Sequence, residues 1–303
     1  MVRNLAGHVK NPCSGLADPG TIAPMMIRRV RSPIVAGAFY PSRPESLSHA
    51  VAGLTGPAAG GERALPGPVG LIAPHAGYSY SGAVAGAGYT RVAALGRPEI
   101  AVLLGADHTG IGAPIALSGA DAWATPLGES PVDRDLTRAL VDGGAAIDDA
   151  AFAREHSIEV HLPFIQYLFG PMTPIVPVRV GWEDGGVLER FGAALSGAIG
   201  ERAALVVAST DFTHYEPDAA ARRVDRAALH EILALDPAAF LHNCRTQRRT
   251  ICGPGAVAVL LHAARALGLR KAESVAYATS ADATGDRSAV VAYASVLFTR
   301  ETT

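Results

Sequence analysis

Cysteine is scarce in this 303-residue chain, which has only Cys13, Cys244 and Cys252. Their odd number and irregular spacing exclude a secreted disulfide framework and a Cys-x-x-Cys zinc knuckle. A reducing cytoplasm is therefore the expected compartment. An excess of one charge is also missing, with 26 basic against 28 acidic residues and a net charge of −2. That balance gives no electrostatic case for nucleic acid or an anionic membrane as partner. No run of about 18 apolar residues marks a membrane span. The stretch from Met1 to about Val30 lacks the apolar core of a signal peptide. The zincin order His-Glu-x-x-His is absent as well, which leaves a helical zinc-protease site unsupported. There is no internal repeat and no interdomain linker.

The chain does have ample apolar material, with 49% of its residues hydrophobic. That suffices for a large core, in one domain or in two halves. Residues 1–30 carry Asn, Pro, Gly and Cys without periodicity and are expected to form a disordered extension. Met25 or Met26 are alternative starts, and an arm packed on a neighbour is the other reading of this stretch. A single α/β domain is expected over 31–303, with folded structure beginning near Pro33. Pro57 to Pro68 reads as a loop. Buried strands are predicted at Gly70–Ala73, Ile100–Gly105, Ile115–Ser118, Ile175–Val180 and Ala204–Ala208. Helices are predicted at Gly82–Ala94, Asp133–Val141, Ile158–Phe169, Gly186–Ile199, Ala219–Leu235 and Gly255–Leu267. Pro163 would delay or kink the third of these. Asp236 reads as an N-cap, with Pro237 at the first helical position. Ser274–Thr279 and Ala289–Phe298 are strands whose short connection suggests antiparallel pairing. Strands alternating with helices imply a three-layer α/β sandwich around a mostly parallel or mixed sheet.

Parallel strands bring their C-terminal ends to one edge of a sheet, where ligands bind. Four polar clusters lie where apolar runs end. His75 follows Val-Gly-Leu-Ile-Ala-Pro and precedes a Gly-rich turn containing Tyr78, and glycine there permits close approach to a ligand. His108 follows Leu-Leu-Gly-Ala-Asp, and an Asx-type turn explains the same residues without a ligand. Asp211 and His214 follow Leu-Val-Val-Ala-Ser-Thr. On one helical turn they would share a face as ligand, orienter or acid/base; a helix N-cap with an exposed histidine is the plainer alternative. Cys252 precedes Gly-Pro-Gly and a helix, a position that lowers a thiol's pKa, although a small buried cysteine is the commoner explanation of such a residue on its own. Glu155-His156-Ser-Ile-Glu159-Val-His161 groups four more polar side chains, as pocket or as a charged helix start. Arg245, Arg248 and Arg249 could serve an anionic ligand or form a solvated loop.

Six stretches in order resemble the Memo-like family, which includes AmmeMemoRadiSam system protein B. They are Pro33 to Pro41, Ala73-Pro-His-Ala-Gly-Tyr-Ser-Tyr-Ser-Gly82, Leu104-Gly-Ala-Asp-His-Thr-Gly110, Glu155-His-Ser-Ile-Glu-Val-His-Leu-Pro163, Ser209-Thr-Asp-Phe-Thr-His-Tyr215 and Ile251-Cys-Gly-Pro. The resemblance implies a fold like that of class III extradiol dioxygenases, with His75, His108 and Cys252 as ligands of a mononuclear Fe(II) or Cu ion and zinc as a third candidate. It places Asp211 and His214 beside the metal, His214 as acid/base, and His156 and His161 near the pocket. Tyr78 belongs to the same expected lining. It further implies a small-molecule or peptide ligand and a functional link to radical-SAM and AMMECR-type proteins. A cysteine in place of the dioxygenases' carboxylate changes the charge and oxidation chemistry of such a site. Three functions compete on these residues. They are a dioxygenase-like oxidoreductase, a peptide- or phosphopeptide-binding module, and a metal-free hydrolase using Cys252, His214 and Asp211.

Overall fold

The computed structural model describes residues 28–56 and 63–301. Most of the expected N-terminal extension, including Cys13, lies outside these residues, as do 57–62 of the expected loop. The chain runs β1 (Val30–Arg31), α1 (Pro44–Thr55), β2 (Val69–Ala73), α2 (Tyr78–Leu95), β3 (Ile100–Gly105) and β4 (Ile115–Leu117). It continues through β5 (Ala122–Thr125), β6 (Gly128–Pro131), α3 (Arg134–Asp142), β7 (Ala146–Ile147) and α4 (Leu162–Phe169). Next come β8 (Ile175–Val180), α5 (Gly185–Ile199), β9 (Ala204–Ser209) and β10 (His214–Glu216). The remainder is α6 (Asp218–Leu233), α7 (Pro237–Thr246), α8 (Pro254–Ala266), β11 (Lys271–Thr279), α9 (Ala281–Thr284) and β12 (Val290–Thr299).

Nine strands form one mixed sheet in the order β10-β12-β2-β9-β3-β8-β4-β7, with β11 paired to β12. Its centre, β2-β9-β3-β8, is parallel. These four strands are buried on both faces, in keeping with their nearly continuous apolar runs; the exceptions, Arg179 in β8 and Ser209 at the end of β9, are buried too. Alternate residues serve opposite cores. Ile100, Val102 and Leu104 face the layer holding α3, α5, α6, α7 and α8. Ala101 and Leu103 face the layer holding α1, α2 and α4. This is the three-layer sandwich expected from the alternation of elements.

Three of the described helices, α3, α5 and α7, start on a capping aspartate. Asp133 accepts from Leu136 N and Asp236 from Ala239 N. Pro163 falls in the first turn of α4, behind a short 3-10 turn at Glu159–His161, so the helix starts late. The last two long strands pair antiparallel. The ordered chain begins earlier than Pro33, because Val30 and Arg31 pair with Ala122 and Trp123. The fully buried Glu159 carboxylate fastens this arm by accepting from Ile34 N, Val35 N, Tyr40 Oη and the Arg31 guanidinium. Charge in this stretch therefore does the opposite of what a solvated helix start would do.

Candidate metal centre

Three neighbouring parallel strands deliver the site. β2 ends two residues before His75, β3 ends three residues before His108, and β9 ends two residues before Asp211. The His75, His108 and His156 imidazoles each offer a nitrogen to one cluster, with these atoms within 4.8 Å of one another. The ring centroids are 5.1 Å apart for His75–His108 and 4.8 Å for His108–His156. Phe39 packs edge-on against His156 at 4.8 Å. Cys252 Sγ lies 3.3 Å from His75 Nε2 and accepts from Asp211 N at 3.1 Å.

A buried carboxylate aims the second histidine. Glu155, 1% exposed, accepts from His108 N and Ser157 N. Its oxygens also lie 3.0 and 3.2 Å from His108 Nδ1. A carboxylate facing Nδ1 assigns the proton there and leaves Nε2 with its lone pair, the arrangement usual behind a metal-bound imidazole. Burial alone would raise the Glu155 carboxyl, but the His108 contacts and two backbone donors hold it at about 2. Burial likewise pulls His108 down, and the Glu155 carboxylate more than reverses that. His75 is pushed well below the usual imidazole range, by burial first and then by the neighbouring imidazoles, so it stands as a neutral donor. Burial and the proximity of His108 lower His156 too.

Asp211 accepts from His75 N at 2.9 Å, tying the β9 turn to the β2 turn. Burial raises its carboxyl to about 6 against the backbone donors that favour the charged form. Asp211 and His214 do not share a helical turn. His214 opens β10, and Asp211 stays in the loop before it. His214 Nδ1 is 2.6 Å from Phe212 O and 2.8 Å from Thr250 O. Carbonyls only accept, so Nδ1 carries the proton and Nε2 is the free nitrogen. Tyr215 beside it is held in the left-handed region at φ 61°, where β10 bulges away from β12.

A family model described as Memo-like protein matches residues 31–297. The chain belongs to the Memo-like family. A MEMO1 family protein of Methanopyrus kandleri is 41% identical over 283 residues, covering 89% of this chain and 99% of the relative. One from Pyrobaculum aerophilum is 42% identical over 286 residues, covering 90% and 100%. Among solved structures, an uncharacterized protein of Escherichia coli K12 shares the fold. Its TM-score is 0.53 at 14% identity, covering 76% of this chain and 98% of that one.

In this Memo-like chain the predicted residues separate into groups. Of the expected ligands, His75 and His108 come together with His156, which was expected only to line the pocket; Cys252 and Asp211 each contact His75 but fall outside the group of atoms within 4.8 Å of one another. His161 stands behind the cluster, fully buried. Tyr78 also turns away: its hydroxyl donates to Val160 O at 2.9 Å and its ring packs between Tyr40 and Phe164. Cys252 does not have the lowered pKa expected at a helix start. It precedes the first helical residue, Pro254, by two, and burial followed by the Asp211 charge pushes the thiol up. A metal-free nucleophile is thereby disfavoured, and the imidazole against the thiol is His75 rather than His214. Two of the three arginines are already engaged, and Arg248 is exposed. Arg249 forms a two-pronged pair with Glu231, and Arg245 donates to Glu183 O at 2.6 Å. Two contributors escaped the sequence reading. Glu155 was noticed without its role, which a carboxylate beside two histidines could have signalled. Ser209, the last residue of a buried strand, opens one of the family-like stretches but was given no role of its own.

Proposed function

We propose that this protein is a metal-binding member of its family, using a mononuclear iron or copper site at the sheet edge to act on a small molecule. The observation that carries the reading is the gathering of His75 and His108, which follow β2 and β3, with His156 from the loop before α4, and the Cys252 thiol against His75. His75 and His108 would hold the ion, with Cys252 and His156 as the further donors. The donor set fits, since neutral imidazoles suit iron, copper and zinc, and a thiolate adds softness. When bound, such an ion supplies Lewis acidity and one-electron redox chemistry.

The chain's own residues do the rest. Glu155 orients His108, and Asp211 fixes the backbone at His75. His214, with Nδ1 donating to carbonyls, keeps Nε2 for proton exchange with a ligand. Asp211, near its midpoint at about 6, is the second group able to hold a proton there. Cys244 and Cys252 are both unpaired, in keeping with a reducing cytoplasm as the working compartment. Among the described residues no helix is long and apolar enough to cross a membrane.

Titration of metal-free protein with Fe(II), Cu and Zn, repeated on His75→Ala, His108→Ala, His156→Ala and Cys252→Ser, tests the assignment. Loss of stoichiometric binding in His75→Ala and His108→Ala is expected. Wild-type affinity in both would remove the site. The two remaining variants identify the third donor.

A further inference from the structure

Behind the imidazole cluster lies a second, wholly buried polar chain. Ser209, 1% exposed, closes β9, and three groups meet at its hydroxyl. Ser157 O is 2.8 Å away, His75 Nδ1 2.7 Å and His161 Nε2 2.8 Å. A serine hydroxyl has one proton and two lone pairs, and a carbonyl can only accept. One proton assignment alone satisfies all three contacts. Ser209 donates to Ser157 O, and both imidazoles donate to Ser209 Oγ. His75 must then carry its proton on Nδ1, which leaves the Nε2 lone pair toward Cys252. His161 must carry its proton on Nε2, which leaves Nδ1 as a bare acceptor.

That last atom is an orphan. His161 Nδ1 is buried without a hydrogen-bond partner. A charged His161 would place a second N–H at this spot with nothing to receive it, and burial holds its pKa down at about 3. The Tyr89 hydroxyl, on the same side of the sheet, is the complementary orphan: a buried donor without an acceptor. The two rings are neighbours, with centroids 5.9 Å apart. Buried polar atoms left unpaired cost roughly 1–3 kcal/mol each. A donor and an acceptor orphaned on neighbouring rings, with no direct bond between them, therefore point to a join through one buried water.

We propose that Ser209, His161 and Tyr89 form a buried hydrogen-bonded relay that locks His75 in the tautomer presenting Nε2 to the cluster. Ser209 is a positioning residue: the Ser157 carbonyl fixes which way its proton points, and His161, backed by Tyr89, occupies its other lone pair. Ser209 performs for His75 the task that Glu155 performs for His108. One ligand is thus backed by a neutral hydroxyl and the other by a carboxylate, which makes His108 the more basic of the pair. The relay concerns the same site as the proposed metal function, yet its first consequence needs no metal.

Nitrogen-15 NMR of the imidazoles in metal-free wild-type protein reads the tautomers directly. His75 should be protonated on Nδ1, and His161 on Nε2 with a hydrogen-bonded Nδ1. His75 protonated on Nε2 would overturn the relay without any variant being made. Tyr89→Phe should move the His161 Nδ1 signal to that of an unbonded lone pair while His75 keeps its tautomer; an unmoved signal would break the Tyr89 link. Ser209→Ala should mix the His75 tautomers and weaken metal binding by about 10- to 100-fold, the usual effect of losing an orienting partner. An unchanged tautomer and affinity in folded Ser209→Ala would refute the positioning role. If wild-type protein has the stated tautomers and binds no metal, the relay stands and the metal reading falls.

Discussion

The histidines of the site differ in what burial does to them. His161 is fully enclosed, and burial lowers its pKa from the usual 6.5 to about 3. The folded state therefore binds fewer protons at this position than the unfolded chain between these values. Its contribution to stability is fully present above pH 6.5 and is lost as pH falls toward 3. Between pH 7 and pH 4 the loss is on the order of 3 kcal/mol. Urea unfolding of wild type and His161→Asn at both pH values measures it. The wild type should lose its advantage over the variant on acidification, and a constant difference would contradict the assignment. Asp211 works in the opposite sense. Its raised folded value, about 6, takes stability away as pH rises from 3.8 through 6 in both proteins, so it cancels in the comparison.

At the scale of elements, the site depends on how closely α8 can approach the sheet. A Cβ at Gly255 would collide with the Gly181 carbonyl oxygen and press on Val180 at 3.1 Å. One at Gly253 would meet Ser209 O at 2.5 Å. Backbone carbonyls at strand ends cannot move aside, so these positions admit no side chain. The close approach lets Cys252 N donate to Asp211 O at 3.3 Å and seats the thiol beside His75. Gly255→Ala should destabilise the protein by about 1–3 kcal/mol, as overpacking does, and should weaken metal binding through displacement of Cys252. A thermal melt with metal titration checks both, and wild-type values in each would contradict the packing argument. Long elements with caps were legible in the sequence, as Asp133 and Asp236 illustrate. The β5–β6 hairpin and β10 were not, because strands of three or four residues carry too few alternations to stand out. Asp211 and His214 suggested a helical turn because a three-residue spacing is equally compatible with a loop leading into a bulged strand.

For the whole molecule, strand order decides which loops meet. Insertion of β9 between β2 and β3 places the Asp211 turn between those carrying His75 and His108. The sequence announced strand ends and the polar residues that follow them, so the layered fold and the nearness of His75 to His108 could be anticipated, whereas the place of His156 in the cluster could not. Pairing order and partners reside in contacts between distant residues, and so the clamp of Glu159 on the N-terminal arm and the meeting at Ser209 were not visible. The largest open cleft described, about 830 Å³ and lined by Leu235, His262, Arg265 and Arg270, lies at the far end of α8 from Cys252. The proposed site lies instead at the C-terminal sheet edge, where loops after three strands bring His75, His108 and Asp211 together. Anomalous diffraction at the iron, copper and zinc edges, on crystals of protein loaded with one equivalent of metal, tests this most directly. One peak is predicted, within roughly 2.0–2.4 Å of His75 Nε2 and a His108 ring nitrogen. A full equivalent of metal located elsewhere, with the imidazole cluster bare, would contradict it.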